Sequence, residues 1–192
     1  VFPSVDIKGG IAIIYRDAEH YFGEIGTFKV YDELESISSK VENHADFESG
    51  AFAELISSRG MYRFSDRLYD EYPTTKELQA KGTGNMITSN AFELYPDVFQ
   101  QSPENKDEYV QIYGRQKNDR VYRWIKYEYL VPNDYLNEYN VLIPEANGSG
   151  AIGEVLSTPI IGEPLTGATD TFISIGAFES RAEAEACLKY VK

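Results

Sequence analysis

The chain has 192 residues, of which 42% are hydrophobic and 26% charged, a size and balance that suit one domain or slightly more, with a core needing no disulfide or metal staple. Its single cysteine excludes a disulfide framework and a cysteine-based zinc site, and no apolar run approaches the ~18 residues of a membrane span. A net charge of −13 is the opposite of what a simple nucleic-acid binder carries. The start, Val1-Phe2-Pro3-Ser4, has neither the basic segment nor the apolar stretch of a secretion signal. With no initiator methionine, the chain reads as a piece of a longer, cytoplasmic polypeptide.

Charge is unevenly distributed. Residues 1–58 and 127–192 are each net −7, whereas 59–126 is net +1. Within that middle, 111–126 sets Arg115, Lys117, Arg120, Arg123 and Lys126 against Asp119 alone. An ordinary solvated hairpin would account for such a ribbon, and so would a surface that meets a polyanion.

In chain order, Ile11 to Tyr15 is a short apolar run and predicts a strand, and Tyr21 to Val30 a weak strand pair. Asp32 with Glu35 three residues on gives a capping-box start, followed by Leu34, Ile37 and Val41 on one helical face. Phe52, Leu55 and Ile56 form a second apolar stripe that ends near Ser57 and Ser58. Residues 60–108 mix Pro73, Gly82, Gly84, Pro96 and Pro103 with many aromatics. They predict a long loop-rich stretch with short elements, ordered by those rings and functional. Tyr109–Tyr113 and Arg120–Tyr127 alternate with period two around a turn at Gly114–Asp119, the pattern of a hairpin. Tyr122 and Trp124 share one face with Arg120 and Lys126; Val121, Arg123, Ile125 and Tyr127 share the other. Trp124 is expected to pack beneath the sheet. Val141-Leu142-Ile143 and Thr171–Ile175 predict further strands, separated by a Gly- and Pro-rich segment. Ser180 and Glu183 cap a final helix with Ala184, Cys187, Leu188 and Val191 on its apolar stripe. Strands separated by turns more often than by helices predict an α+β fold, a mixed and mostly antiparallel twisted sheet with flanking helices.

Several motifs carry chemistry in other settings. Gly148 to Gly153 spells G-x-G-x-x-G, with Asp170 beyond it. Only Glu154–Thr158 precede Pro159, too few residues for the helix whose amides would hold a pyrophosphate. Asp97, Glu104 and Lys106 match the PD…E-x-K set of metal-dependent nucleases, where two acids hold Mg²⁺ and lysine orients water. That set requires the acids on adjacent strands, and the short gap with Pro103 does not fit one. Cys187 reads as a core thiol, and His20 and His44 as surface residues without metal-ligand spacing. Arg59, Arg63 and Arg67 recur every four residues, so a helix would put them on one face, free or paired with Asp66, Asp70 and Glu71.

Ordered segments resemble one family. Phe2 to Gly10 is similar to an F-P-x-V-x-I-x-G-G element of adenine-specific DNA methyltransferases of restriction–modification systems. Ile56-Ser57-Ser58-Arg59 is similar to their S-S-R step. Ile112–Arg115, Tyr122–Tyr129, Tyr139–Gly150, Pro159–Gly162, Thr169–Ile173 and the last helix resemble the C-terminal specificity domain called TaqI-like. The resemblance covers residues 1–15 and about 109–192; lysines common in the family near Asn140 and Glu145 are absent here.

The resemblance implies trailing strands of an upstream methyltransferase domain in 1–30 and a DNA target recognition domain in 31–192, with 60–108 as a variable insert. The parent would be a type II restriction–modification adenine methyltransferase, alone or fused to an endonuclease. It would use S-adenosylmethionine, with Mg²⁺ if it also cuts. No cofactor and no catalytic residue are assigned to this chain. Its expected partners are double-stranded DNA and the upstream catalytic domain of the same polypeptide, with no membrane. Arg115, Lys117, Arg120 and Lys126 are the expected phosphate contacts. Arg59, Arg63, Asn85, Asn90 and Gln111 are the candidates for base edges, arginine suiting guanine and the amides adenine. Two alternatives stay open: a nuclease domain using Asp97, Glu104 and Lys106, and a protein-interaction module presenting the aromatic hairpin.

Overall fold

The structure is a computed structural model; it describes residues 14–21, 32–44, 51–117, 119–145 and 158–191. The expected strands before residue 31, the domain boundary at residue 30, the Phe2–Gly10 element and the glycine motif at 148–153 lie wholly or largely outside the described residues. The chain divides into two units, Val1–Ser49 and Gly50–Lys192.

The first unit contains α1 (Asp32–Glu42), as the periodicity of Leu34, Ile37 and Val41 predicts. Its last turn is closed by Asn43, whose side-chain amide donates to the Ser39 carbonyl at 2.7 Å. All three apolar side chains are exposed.

The second unit is α+β. Its elements are α2 (Ala51–Glu54), α3 (Asp66–Glu71), α4 (Thr74–Leu78), α5 (Ala91–Leu94), β1 (Tyr109–Gln116), β2 (Asp119–Lys126), α6 (Asp134–Asn137), β3 (Tyr139–Pro144), β4 (Ile160–Gly162), β5 (Thr166–Ala168), β6 (Phe172–Phe178) and α7 (Arg181–Val191). The strands form two three-stranded sheets, ordered β2-β1-β5 and β4-β3-β6. Among the described residues every strand pairing is antiparallel except β1 with β5.

Sequence pattern explains how each sheet is buried. In β1 and β2 the residues alternate, and Val110, Ile112 and Ile125 on one face are wholly buried, the signature of a sheet packed on one side. In β3 the run Val141-Leu142-Ile143 is apolar throughout and buried throughout. Leu142 joins the large core with Phe64, Leu68, Phe92, Val110, Ile112 and Ile125, while Val141 and Ile143 join Ile175, Ala184 and Cys187 beneath α7. The large core draws Tyr62, Phe64, Phe92, Tyr95 and Phe99 from the loop-rich stretch, so that stretch is held by its aromatics, as expected. The helix α7 starts at a formed capping box: the Ser180 amide donates to the Glu183 carboxylate at 3.1 Å, and the Glu183 amide to the Ser180 hydroxyl at 3.3 Å.

The hairpin is longer than the alternation alone predicts, because pairing continues to Gln116–Asp119. Lys117 takes a φ of 49° at the turn, the left-handed conformation that two-residue hairpin loops require. Gly114 lets the inner face close: a Cβ there would sit 2.6 Å from Thr169 Cγ2 and 2.8 Å from Phe92. Nothing in the sequence pattern predicts the strands β4 and β5. Three residues each, amid Gly and Pro, are too few for a period to show.

Candidate nucleic-acid interface

The register of β1 and β2 places Tyr109 opposite Lys126, Gln111 opposite Trp124, Tyr113 opposite Tyr122 and Arg115 opposite Arg120. Residues directly opposite share a face, and so do residues two apart. All eight therefore lie on the side away from Val110, Ile112 and Ile125. Arg115, Arg120 and Tyr122 are exposed and the other five half-buried. Trp124 exchanges its backbone N–H and C=O with Gln100, both bonds 2.8 Å. Its pair with Gln111 is thus of the non-hydrogen-bonded kind, in which side chains approach most closely, and by the period of two so are the Tyr113–Tyr122 and Arg115–Arg120 pairs.

The rings pack as this register dictates. Tyr113 lies 4.8 Å from Tyr122 and 5.1 Å from Phe172, centroid to centroid. The Arg120 guanidinium sits over Phe172 at 4.5 Å and within 5.9 Å of Tyr113, held by rings instead of by a carboxylate. Burial, and then the neighbouring Tyr113, push the Tyr122 phenol above its ordinary range. At the hairpin end, Arg115 and Arg120 line a cleft of about 220 Å³ with Pro144, Glu145 and Thr171.

Trp124 does not pack beneath the sheet. It stands half-buried on the outward face, its ring under the Lys106 ammonium at 5.1 Å. The inner positions are taken by Val110, Ile112 and Ile125, which leave no room for an indole.

The expected phosphate contacts fall into two groups. Arg115 and Arg120 meet at the cleft, and Lys117 is exposed at the turn, where its amide donates to the Glu93 carboxylate at 3.0 Å. Lys126 lies at the far end of the face, 3.5 Å from Glu128 and 5.5 Å from the Tyr129 ring. Arg123, on the inner side, donates to Gln116 and to the Tyr122 carbonyl.

The candidates for base edges are more scattered. Arg59, Arg63 and Arg67 share no helix: only Arg67 is helical, in α3, where it pairs with Glu71 at 2.6 Å. Arg59 pairs with Glu145 at 3.1 Å and with Asp170 at 3.2 Å. Arg63 donates to Asn85 at 3.2 Å, and the Asn85 amide to the Phe64 carbonyl at 2.7 Å. Asn85 lines a second cleft, of about 410 Å³, with Asp66, Tyr69, Lys76, Gln79, Ala80, Gly82 and Gly84. Asn90 accepts from the Thr88 hydroxyl at 2.9 Å. Gln111 alone of this set lies on the outward face of the hairpin.

Asp97, Glu104 and Lys106 all lie in loops between α5 and β1, not on adjacent strands, and Lys106 is engaged over Trp124. Among the described residues no three His, Cys, Asp or Glu side chains gather as metal ligands. No helix among the described residues is long and apolar enough to cross a membrane.

Thr171 and Glu145 border this surface, and the buried Phe172 lies beneath Tyr113 and Arg120; none carries a sign of it in the sequence, since tertiary folding brings them from the second sheet and its connections. Tyr113 and Gln111 could have been placed there: the alternation of β1, with a two-residue turn, fixes which residues they oppose. No family model, curated protein or solved structure matches the chain.

Proposed function

We propose that this chain is the DNA-recognition module of an adenine-specific methyltransferase from a restriction–modification system. The observation that carries the reading is the outward face of the β1–β2 hairpin. There, in a chain of net charge −13, Arg115, Arg120 and Lys126 flank Tyr113, Tyr122, Trp124 and Gln111 on one side of a sheet whose other side is core. Guanidinium and ammonium groups neutralise phosphates and set register without reading sequence, whereas an amide such as Gln111 can pair with a base edge. Arg120, fixed by two rings, meets a phosphate with little loss of side-chain freedom. Arg63 and Asn85, beside the second cleft, supply a further pair of base-reading candidates.

In this reading the module grips duplex DNA while an upstream catalytic domain of the same polypeptide, holding S-adenosylmethionine, methylates an adenine drawn out of the stack, because its amino group cannot be reached inside the helix. The module itself makes and breaks no bond. Fluorescence anisotropy with labelled duplex at low and high salt tests the proposal. Binding that weakens steeply with salt is expected, since each neutralised phosphate contributes about −0.9 to the slope of log K against log salt. A flat dependence, or no binding at low salt, would refute it.

A further inference from the structure

We infer that the second cleft, formed by α3, α4 and the loop after α4, is a phosphate seat, in which the Lys76 ammonium and backbone amides of that loop hold the oxygens of a phosphate group. The loop, Lys81-Gly82-Thr83-Gly84-Asn85, is two turns in tandem: the Thr83 amide donates to the Ala80 carbonyl at 3.2 Å, and the Met86 amide to the Thr83 carbonyl at 3.3 Å. Gly82 and Gly84 take φ of 88° and 58°, the left-handed region that glycine enters without cost to a side chain. The turns engage every third amide. Those of Lys81, Gly82, Gly84 and Asn85 meet no acceptor among the described residues, and successive amides left open in turn conformation make an anion-binding concavity. Gly82, Gly84 and Asn85 line the cleft. A Cβ on Gly82 would meet nothing within 4 Å, so bare backbone faces open space there.

The cations here lack acids that others in the chain have. Arg59, Arg67 and Arg181 each pair with two carboxylates. Lys76 lines the cleft and is exposed, its ammonium 5.8 Å from the centre of the Tyr69 ring. Arg63 stands behind the Gly84–Asn85 wall: its guanidinium donates to Asn85 Oδ1 at 3.2 Å and lies 3.8 Å from where a Gly84 Cβ would be. Arg63 is half-buried, and neither it nor Lys76 pairs with a carboxylate among the described residues. A guanidinium withdrawn from water without a counter-ion is costly, and a phosphate in the cleft offsets that cost. Asp66, the acid in the lining, opposes an anion and so gives the inference a signed test. A volume of about 410 Å³ admits a phosphate on a DNA strand or on a free mononucleotide. The inference rests on the recognition reading only for the first source. There it adds a phosphate anchor beside the Arg63–Asn85 pair, and such anchors fix the register in which neighbouring side chains reach bases.

The amide resonances of Gly82 and Gly84, in a heteronuclear correlation spectrum of the 192-residue chain, read the seat directly. Three probes are titrated: inorganic phosphate against a chloride control, deoxyadenosine monophosphate, and a short blunt DNA duplex. Both resonances are expected to move with each. Lys76→Gln, at an exposed position, keeps the fold, removes those shifts and reduces the magnitude of the salt slope for the duplex by about 0.9. Asp66→Asn tightens binding of every probe. Shifts with the duplex alone support the seat with a DNA strand as its source. Shifts with the small probes and no duplex binding support it with a free phosphate ester as its source and overturn DNA recognition. Duplex binding that leaves Gly82 and Gly84 unmoved overturns the seat and leaves the recognition reading standing. So do shifts and a slope unchanged in Lys76→Gln, or duplex binding no tighter in Asp66→Asn. Failure to bind any of the three overturns both.

Discussion

The two sheets have the same number of strands and opposite surroundings. The β4-β3-β6 sheet is enclosed, with Leu142 in the large core on one side and Val141, Ile143 and Ile175 beneath α7 on the other. The β2-β1-β5 sheet shares the large core through Val110, Ile112 and Ile125, but its other face presents rings and cations at the surface. A sheet face that only needed covering would carry aliphatic side chains under a helix, as the first does, or small polar ones. This face instead carries the Arg120 guanidinium over the Phe172 ring and the Lys106 ammonium over Trp124, the arrangement on which the proposed DNA contact rests. The difference sets an enclosed sheet against a face proposed to meet DNA, and it can be tested from both sides.

The largest effect should come from the enclosed sheet. Leu142→Ala removes a side chain packed on all sides and is expected to cost about 2–5 kcal/mol, read as a shift in the urea midpoint. Changes on the open face should leave that midpoint within about 0.5 kcal/mol; an equal loss at both places would erase the contrast.

Alkaline pH should break the interior next. Burial pushes the Tyr62 phenol far above its ordinary range. Burial, and then its hydrogen bond to Glu71, do the same to Tyr129. A group whose folded pKa is raised contributes stability that is complete below its unfolded value of about 10 and is lost as pH climbs beyond it. Urea midpoints should therefore hold steady to about pH 9 and then fall. The phenolate absorbance of these two rings should appear only with unfolding.

On the open face, Arg115→Gln combined with Arg120→Gln should reduce the magnitude of the salt slope for duplex binding by nearly 2, about 0.9 for each lost phosphate contact, with the fold intact by circular dichroism. A slope unchanged in the double variant would mean that the phosphates are met elsewhere. The smallest expected effect sharpens the enclosed side: Ser180→Ala removes the cap of α7 and should cost about 1 kcal/mol without touching DNA affinity.

The alternation of 109–113 and 120–127, the continuous run at 141–143 and the Ser180–Glu183 box were legible because each is a local pattern with a fixed period or spacing. So was the α+β class, since turns instead of helices separate the strands. The division into two sheets was not. It depends on β4 and β5, which are three residues each and make sense only as partners of β3 and β1. The position of Trp124 is not legible in the sequence, because a lone large ring at a half-buried site satisfies either face; the wholly buried Ile125 beside it decides. In the candidate site, the cations and rings of the hairpin could be read directly. The cleft could not, because Glu145 and Thr171 join Arg115 and Arg120 only through tertiary folding, and Arg59 proves to be occupied by Glu145 and Asp170, acids far away in the chain.

The backbone exchange between Gln100 and Trp124 has a consequence beyond fixing the pairing type. Trp124 lies near the middle of β2, a margin strand whose outward amides and carbonyls would otherwise invite another chain to zip alongside. By occupying that position, the short loop segment interrupts the template, so the hairpin can display a broad aromatic surface to solvent while resisting the side-by-side stacking that leads to fibrils.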